Sequence, residues 1–409
     1  MTSSIGGADG VISPDDLRTF VAEQFAGLDL DGRSLCLVIP DGSRVCPLPP
    51  IIDAVLAAVR GRVRSCVAVV ALGTHAPMTD DALRSLVGTD ELTVVNHEWW
   101  DERAFTSIGM LPATAMLDLS GGRFGLDVPI RINRHVVESD ITVIIGPVLP
   151  HEVVGFSGGN KYLFPGLSGQ ELIDVSHWLG ALVTSREIIG TLGITPVRAV
   201  IDAAAALVPG ERHCLCVVGD HSPDGLHFAA FGDPQSAWAS AAEIASQTHV
   251  IQLNEPVERV LSIVPERYSD LWTGAKGFYK VEPVVADGGE VILYAPHITE
   301  LATTHPGLAQ IGYHCRDYFL ANWDAFVDHP WGELAHSTHL FGAGTYAPDG
   351  TEAQRVRVTL ATGIPVDVVR SVNLHAADPA SIHVDEFARS PRSLVVHDAG
   401  EVLFRLRDR

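Results

Sequence analysis

The first half of the chain repeats one pattern: a short apolar run, a polar loop and an amphipathic helix. Apolar side chains occupy every position of residues 35–39 and 67–72 and all but Thr142 of residues 141–145, as is typical of parallel strands buried on both faces. Helical periodicity at residues 51–59 and 80–87 separates these runs. The pattern predicts an α/β fold with a doubly wound, mostly parallel sheet.

Weaker signals extend this pattern at both ends of the chain. Residues 14–26 read as an opening helix with Ser13 as its N-cap. Strands are predicted at residues 257–264 and 291–294, with a helix at 268–279 between them. The second set of elements indicates a smaller C-terminal α/β domain.

We expect two domains with the active site in the cleft between them. The polar stretch at residues 246–256 is the predicted junction, which gives an N-terminal domain at 1–250 and a C-terminal domain at 251–390. Residues 391–409 form a C-terminal segment that could return to the N-terminal domain or pack on the C-terminal one. Within it, residues 393–406 are predicted to form a strand and a helix.

Charge and composition exclude several classes of function. The 409 residues include 50 acidic and 28 basic side chains, for a formal net charge of −22, which argues against nucleic-acid and anionic-membrane partners. The N-terminal sequence has neither the basic start nor the apolar core of a signal peptide. The apolar runs are too short to span a bilayer. With six thinly spread cysteines, we expect a reduced, cytoplasmic protein.

One cysteine pair could suggest a metal site. Cys214 and Cys216 follow His213, but the string HCLCVV alternates as a strand does and no second pair of this kind occurs. We therefore predict core packing for both thiols.

Lysine is rare in this chain. Of the 28 basic residues only Lys161, Lys276 and Lys280 are lysines. A primary amine forms covalent bonds that a guanidinium does not, so each lysine is a candidate for special chemistry.

Titratable side chains follow three successive predicted strands. Asp41 and Arg44 follow the first, His75 the second and His151 the third. Ligands of doubly wound sheets bind at the carboxyl ends of the strands. These four residues are therefore the first candidates for a site.

The string GFSGGNK, residues 155–161, is the most suggestive loop. Its small residues permit close backbone approach to an anion such as phosphate. It is not an ATPase P-loop, because Asn160 and Tyr162 replace the required glycine and hydroxyl residue. The GxGxxA string at residues 342–347 lacks the strand and helix of a dinucleotide fingerprint, and no HExxH zinc motif occurs.

The remaining candidates suit an acid substrate. Two histidines at strand ends could transfer protons on two faces, the glycine-rich loop could hold a phosphorylated cofactor, and Arg44 with Lys276 could grip a carboxylate. On spacing alone, His177 reads as an ordinary helix histidine.

The chain resembles the lactate racemases that depend on a nickel-pincer nucleotide. The resemblance covers about the first 200 residues, and Lys276 in WTGAKGF matches a further position. The matching strings are DGSR (41–44), GTHAPMT (73–79), INRHVVESD (132–140), PHEVVGFSGGNKYLFPGLSG (150–169) and SH (176–177).

The resemblance implies how the cofactor is held. The nickel-pincer nucleotide is a pyridinium mononucleotide with thioamide and thiocarboxylate sulfurs that bind nickel. Lys161 resembles the lysine that forms the thioamide, and His177 resembles the protein ligand to the metal. Residues expected to approach the cofactor and its phosphate are Gly73, Thr74, Ser157, Gly158 and Gly159.

The resemblance also implies the catalytic roles. His75 and His151 resemble the paired acid–base residues, one for each face of the substrate. Arg44 and Lys276 resemble the groups that orient the substrate, and Asp41 would support Arg44 or one histidine. The implied reaction is racemisation or epimerisation of a 2-hydroxy acid by reversible hydride transfer from Cα to the cofactor. Separate biosynthetic proteins would supply that cofactor.

Departures from the family pattern leave the substrate open. Asn160 replaces the basic or small residue expected before Lys161. Trp272 and Thr273 replace more polar residues ahead of Lys276, and with His297 they are predicted to line the substrate pocket. Lactate, another 2-hydroxy acid and a sugar acid all stay possible.

Two other functions stay open at this stage. Lys161 could carry pyridoxal phosphate over the glycine-rich loop, which would give His177 no role. Alternatively, the chain could be a non-catalytic α/β protein that binds an anionic metabolite.

Overall fold

A computed structural model describes residues 2–73, 75–220, 222 and 225–407. Thr74, one of the predicted cofactor contacts, lies outside these residues. The chain divides into two compact units. The first contains residues 1–149, 156–176 and 192–248, and the second contains residues 150–155, 177–191 and 249–409.

Strands and helices alternate along most of the described chain. The strands are β1 (Ser3–Gly6), β2 (Ser34–Ile39), β3 (Ser65–Val70), β4 (Thr93–Asn96), β5 (Phe105–Leu111), β6 (Val128–Asn133), β7 (Ile141–Pro147), β8 (Pro150–His151), β9 (Gly155–Phe156), β10 (Glu211–Gly219), β11 (Leu226–Gly232), β12 (Val250–Leu253), β13 (Val257–Ile263), β14 (Val285–Ala295), β15 (Gly344–Tyr346), β16 (Glu352–Gln354), β17 (Arg357–Thr362), β18 (His375–Ala376), β19 (Ser393–Val396) and β20 (Leu403–Leu406).

The α-helices are α1 (Pro14–Ala26), α2 (Leu48–Val59), α3 (Asp80–Val87), α4 (Ala113–Leu119), α5 (Arg134–Glu138), α6 (Gln170–Val183), α7 (Ser185–Ile188), α8 (Pro196–Ala205), α9 (Pro234–Thr248), α10 (Leu271–Gly274), α11 (Lys276–Tyr279), α12 (Leu308–Ile311), α13 (Arg316–Ala321), α14 (Trp323–Phe326), α15 (Trp331–Phe341), α16 (Val366–Ser371) and α17 (Val384–Arg389). Short 3₁₀ turns lie at Glu102–Ala104, Gly159–Tyr162, Glu282–Val284 and Pro379–Ser381.

The first unit is built on a mostly parallel sheet with the strand order β1-β11-β10-β7-β2-β3-β4. The strands from β10 to β4 run parallel, and β11 and β1 add an antiparallel edge. Every residue of β2 and β7 is buried, which is why their sequences are continuous apolar runs. The predicted α/β class is confirmed, and α3 has the bounds that periodicity predicts.

Helix starts in the first unit follow ordinary capping chemistry. The Ser13 hydroxyl accepts the Asp16 N–H at 3.2 Å, and the Thr79 hydroxyl accepts the Ala82 N–H at 3.3 Å. Pro14 opens α1, where a missing N–H costs nothing. The predicted N-cap at Ser13 is confirmed.

The second unit contains a parallel sheet of order β18-β17-β14-β13-β19. Its core includes Leu261, Ile292 and Ala361, one from each of the three central strands. The helix expected within residues 393–406 is wrong: this stretch forms two strands, β19 beside β13 and β20 beside β12. Both pairings lie within the second unit.

The predicted helix at 268–279 is also corrected, since two short helices, α10 and α11, meet at Ala275. Strand β10 is found where the HCLCVV string predicts it, with Cys214 and Cys216 buried. All six cysteines are free thiols. No helix among the described residues is long and apolar enough to cross a membrane.

Two long side chains of the first unit donate hydrogen bonds to carbonyls of the glycine-rich loop and hold it in place. Arg198, 1% exposed on α8, donates to the carbonyls of Phe156 (2.5 Å) and Gly158 (3.1 Å). Its guanidinium lies 4.1 Å from the ring centre of Trp238, whose Nε1–H donates to the Ser157 carbonyl at 2.9 Å. Buried carbonyls need such donors, so these contacts determine the path of the chain into Lys161.

The same loop has little room for larger residues. Gly158 and Gly159 have φ of +85° and +59°, values that favour glycine. A Cβ on Gly158 would lie 2.6 Å from Val148, and one on Gly159 would lie 2.9 Å from Trp238. Both steric contact and backbone conformation therefore require glycine at these positions.

Arg198→Met tests this support. The variant should lose about 2–4 kcal/mol of unfolding free energy, because buried carbonyls lose a charged donor. Urea unfolding measures the loss, and amide hydrogen exchange at residues 156–161 should accelerate. Arg18→Met is the matched control, since that side chain is 58% exposed and pairs only with the exposed Asp53; it should cost less than about 1 kcal/mol. Equal losses in the two variants would contradict the assigned role.

Candidate active site

Asp41 and His75 form a close pair in the first unit. They follow β2 and β3, which are adjacent and parallel, so the loops after them begin at the same edge of the sheet. His75 Nδ1 lies 2.5 Å from Asp41 Oδ2, and Asp41 Oδ1 accepts the Ser43 hydroxyl at 2.7 Å. Because an ionised carboxylate only accepts, the proton of His75 lies on Nδ1. In the neutral ring Nε2 is then the basic nitrogen.

The surroundings of Asp41 stabilise its ionised form. Burial alone would raise the pKa of this carboxyl, but the charge and hydrogen bond of His75, the Ser43 hydroxyl and the charge of Arg44 outweigh it. The pKa of Asp41 therefore lies well below its usual range. The carboxylate stays charged at neutral pH and can hold His75 in one tautomer.

Tyr162 connects the Lys161 loop to this edge of the first sheet. Its hydroxyl donates to the Pro147 carbonyl at 3.4 Å, and it is close enough to Arg44 and Asp41 to interact electrostatically. A Cβ on Gly146 would lie 2.6 Å from the Tyr162 ring, so glycine there makes room for it. Lys161 itself is half-buried.

The other predicted cofactor contacts of the first unit make internal bonds. Gly73 N–H donates to the Gly166 carbonyl at 2.9 Å. Ser157 N–H donates to the Leu149 carbonyl at 2.8 Å, and Gly159 N–H donates to the sulfur of Cys214. These bonds hold the loop in place, and an approach of the loop to a phosphate stays a prediction.

His151 lies in the second unit and is 5% exposed. Its Nδ1 accepts the Val153 N–H at 3.1 Å, and a carboxylate oxygen of Glu152 is 3.5 Å from the same nitrogen. A ring nitrogen that accepts an N–H bond carries no proton, so neutral His151 has its proton on Nε2. This tautomer is opposite to that of His75.

Lys280 supports His151, a role that the sequence analysis missed. Its side chain is 1% exposed, and its ammonium donates to the carbonyl of Pro150, the neighbour of His151. The scarcity of lysine was a signal that could have identified it. Glu152 had no such signal.

His177 lies on α6, half-buried in the second unit. A Cβ on Gly180, one turn further along, would lie 2.9 Å from a methyl group of Val153, so α6 approaches the segment of His151 closely. His339 interacts electrostatically with both Glu152 and His177, and burial lowers its pKa to about 4. The second unit thus brings His151, Glu152, His177 and His339 into one neighbourhood.

Lys276 opens α11 and is 5% exposed. Its Nζ donates to the Thr273 carbonyl at 3.5 Å and lies 5.2 Å from the ring centre of Tyr268. A lysine held this way has its charge at a defined position in the second unit.

The three predicted pocket residues make protein contacts in the described chain. Trp272 is stacked between His305 and His336, at ring distances of 3.7 and 4.3 Å. The Thr273 hydroxyl donates to Asp270 Oδ1 at 2.8 Å, and His297 Nε2 donates to the Tyr268 carbonyl at 3.1 Å. Contact of these residues with a substrate stays a prediction.

The two units divide the predicted residues between them. Asp41, Arg44, Gly73, His75, Ser157, Gly158, Gly159 and Lys161 belong to the first unit; His151, His177, Trp272, Thr273, Lys276 and His297 belong to the second. The sequence analysis placed His151 and His177 in the N-terminal domain, whereas in the structure both belong to the second unit.

Asp41→Asn should show a specific dependence of stability on pH. The pKa of Asp41 is lower in the folded protein than the ~3.9 of an unfolded aspartate. Its ionised form therefore stabilises the fold fully above about pH 4, and this contribution is lost as the pH falls towards the folded pKa. Urea unfolding should show the variant less stable than the native protein at pH 7, with a difference that narrows below pH 4. A difference that widens with acid would contradict the assignment.

Comparisons with known proteins identify relatives of this chain. Residues 20–190 match the family described as lactate racemase N-terminal domain. The lactate racemase of Thermoanaerobacterium thermosaccharolyticum is 25% identical over 282 residues, which are 67% of this chain and 62% of that protein. The lactate racemase of Lactiplantibacillus plantarum is 32% identical over 111 residues, 26% of this chain and 23% of that protein. The matched regions thus span less than two thirds of either curated relative.

Solved structures extend the likeness to nearly the whole chain. A crystal structure of a Thermotoga maritima protein superposes with a TM-score of 0.91 at 28% identity, covering 98% of this chain and 100% of the other. The lactate racemase apoprotein from T. thermosaccharolyticum gives a TM-score of 0.74 at 18% identity, covering 96% and 93%, which supports the shared fold. The similarity to the lactate racemase N-terminal domain thus covers residues 20–190, and the likeness of fold extends over nearly the whole chain.

Proposed function

We propose that the protein is an isomerase that racemises or epimerises a 2-hydroxy acid with a covalently bound nickel-pincer nucleotide. The observation that carries the proposal is the different bonding of two histidines: Nδ1 of His75 contacts the Asp41 carboxylate, whereas Nδ1 of His151 accepts a backbone N–H. The lactate racemase names of two relatives support the reaction class. The proposed location is the cytoplasm, with separate proteins to make the cofactor.

Inversion at Cα requires one proton acceptor and one proton donor for the hydroxyl group. In the proposed reaction the hydroxyl proton leaves to one histidine, and the other histidine returns a proton after the flat keto acid has been reduced on its opposite face. Neutral His75 presents a basic Nε2, whereas neutral His151 presents an Nε2–H. The pair therefore starts ready for one direction without prior proton exchange.

The donor set suits a metal that arrives with most of its own ligands. Among residues 2–73, 75–220, 222 and 225–407, no group of three or more His, Cys, Asp or Glu side chains could hold a metal ion. A single imidazole, His177, would be enough if a bound nucleotide supplied the other donors, and an imidazole nitrogen suits nickel. When bound, the pyridinium ring would supply an electrophilic carbon that accepts and returns hydride.

Lys161 is the residue proposed to anchor that nucleotide. Arg198, Trp238 and two obligatory glycines fix the backbone of its loop. The backbone that carries the amine therefore loses little conformational freedom when the nucleotide is attached. Lysine is required because an amide-like bond needs a primary amine.

The two positively charged side chains proposed to bind the substrate differ in chemistry. Arg44 lies beside the ionised Asp41 and offers a planar fork that can bind a carboxylate in two places. Lys276 is buried and directed by the Thr273 carbonyl and the Tyr268 ring, and it would stabilise negative charge on the substrate oxygen.

Intact mass spectrometry tests the anchor. Protein from a host that makes the nucleotide should carry an adduct and about one nickel per chain. Lys161→Arg keeps the positive charge but should lose both the adduct and stably bound nickel. Lys276→Arg is the control and should keep the adduct. Unmodified native protein from a host with confirmed cofactor supply would refute the proposal, and a nickel-free pyridoxal adduct would favour the other cofactor.

Asp41→Asn tests the protonation scheme in loaded protein. Racemisation of a 2-hydroxy acid, followed by chiral chromatography, should slow about 100-fold or more, because an amide can present its N–H to Nδ1 and favour the wrong tautomer. Ser43→Ala removes a bond to the other oxygen of the same carboxylate and should slow racemisation less than tenfold. Nitrogen-15 shifts of the imidazoles should report a proton on Nδ1 of His75 and on Nε2 of His151. The same tautomer in both rings would contradict the scheme.

A further inference from the structure

A short segment at the end of β4, residues 96–99, is bonded to the loop that carries His75. The Trp99 indole N–H donates to the His75 carbonyl at 3.1 Å. The Asn96 amide accepts the Met78 N–H at 3.1 Å and donates to the Met78 carbonyl at 2.8 Å, as the backbone of a neighbouring strand would. The 96–99 segment thus holds the His75 loop at two points.

These bonds matter because the described residues of the loop between β3 and α3 form neither helix nor strand. The N–H of His75 donates to the Leu72 carbonyl at 2.9 Å, and its carbonyl accepts the indole N–H of Trp99. These two bonds fix the backbone of His75, while Asp41 fixes the orientation of its ring. The three bonds together determine where the basic Nε2 lies.

The same segment also bonds the end of the Lys161 loop through His97, which is fully buried. An amide N–H can only donate, so the Asn133 amide donates to Nδ1 of His97 at 3.0 Å. The proton of His97 then lies on Nε2, which donates to the Ser168 carbonyl at 3.3 Å. Burial lowers the pKa of His97 to about 4, so this arrangement persists at neutral pH.

Asn133 belongs to the string INRHVVESD (132–140), to which the proposed function gives no role. Its side chain is 2% exposed and bonds His97, and its backbone N–H donates to the Leu167 carbonyl at 2.9 Å. Leu167 follows Lys161 by six residues. The string therefore supplies a second connection between the 96–99 segment and the Lys161 loop.

We propose that the 96–99 segment and Asn133 are positioning residues, which hold His75 at a fixed place relative to the Lys161 loop of the same unit. The inference rests on the proposed function, in which His75 transfers the substrate proton and Lys161 carries the cofactor. Proton transfer requires close approach of the two atoms, and a displacement of about 1 Å can cost about 100-fold in rate. These residues act through the two loops that they bond.

Trp99→Phe tests the proposal in nickel-loaded protein, because it removes the indole N–H and keeps an aromatic ring. The acid to be used is lactate, malate or D-gluconate, whichever the native protein converts fastest. The kcat should fall about tenfold and the KM should change less than twofold, because the base moves while the groups that bind the substrate do not. The adduct on Lys161 should be retained. Trp100→Phe is the matched control, since this neighbouring indole is 51% exposed, and it should leave kcat unchanged.

A second measurement uses the full chain without cofactor. In Trp99→Phe, amide hydrogen exchange at residues 75–78 should accelerate at least fivefold, and the Nδ1 proton resonance of His75 should shift. Trp100→Phe should change neither. A role in stability alone would lower the midpoint of urea unfolding without moving this resonance.

His97→Phe separates the two ends of the segment. The new ring can pack against Phe105, which the His97 ring contacts edge-on at 5.3 Å, but it cannot bond the Ser168 carbonyl. Amide exchange at residues 167–169 should accelerate at least fivefold in this variant and stay unchanged in Trp99→Phe.

The outcomes distinguish this inference from the proposed function. Unchanged kcat and unchanged exchange in Trp99→Phe would overturn the positioning role, as would equal effects in Trp100→Phe. Loss of stability without a shift of the His75 resonance would overturn it as well. Nickel-loaded native protein that converts none of the three acids would count against the proposed function, and the exchange data would still decide whether the segment holds His75.

Discussion

Buried backbone outside the central sheets must find many of its hydrogen-bond donors elsewhere, and this constraint governs the segment from residue 150 to 169. Its carbonyls at Phe156, Ser157 and Gly158 are served by Arg198 and Trp238, and the Pro150 carbonyl by Lys280. Each donor reaches across from a distant part of the sequence. These donors stabilise the path of the segment, because buried carbonyls need hydrogen-bond partners.

Features that depend on local periodicity or on sheet topology were predicted correctly from the sequence. Burial on both faces makes β2 a continuous apolar run, and parallel pairing brings Asp41 and His75 to one edge. The strands of the second unit were harder to predict, because strands as short as β19 and β20 carry too few residues to distinguish period 2 from period 3.6. The helix predicted there was wrong for that reason.

Long-range contacts were beyond the reach of pattern reasoning. Nothing local to Arg198 indicates that its guanidinium serves carbonyls some forty residues earlier. The same holds for Trp272, which looks like a pocket wall in the sequence but is stacked between two histidines. The residues expected from the family resemblance could be located, while their supporting contacts could only be read from the fold.

The burial of lysine side chains has a chemical consequence of its own. Lys276 and Lys280 are 5% and 1% exposed, whereas Lys161 is half-buried, and guanidinium groups are poor nucleophiles near neutral pH. Among its side chains, the folded chain therefore offers an approaching electrophile essentially one amine. Selective attachment at Lys161 would need no special recognition of that residue, because the basic side chains elsewhere on the surface are arginines rather than lysines.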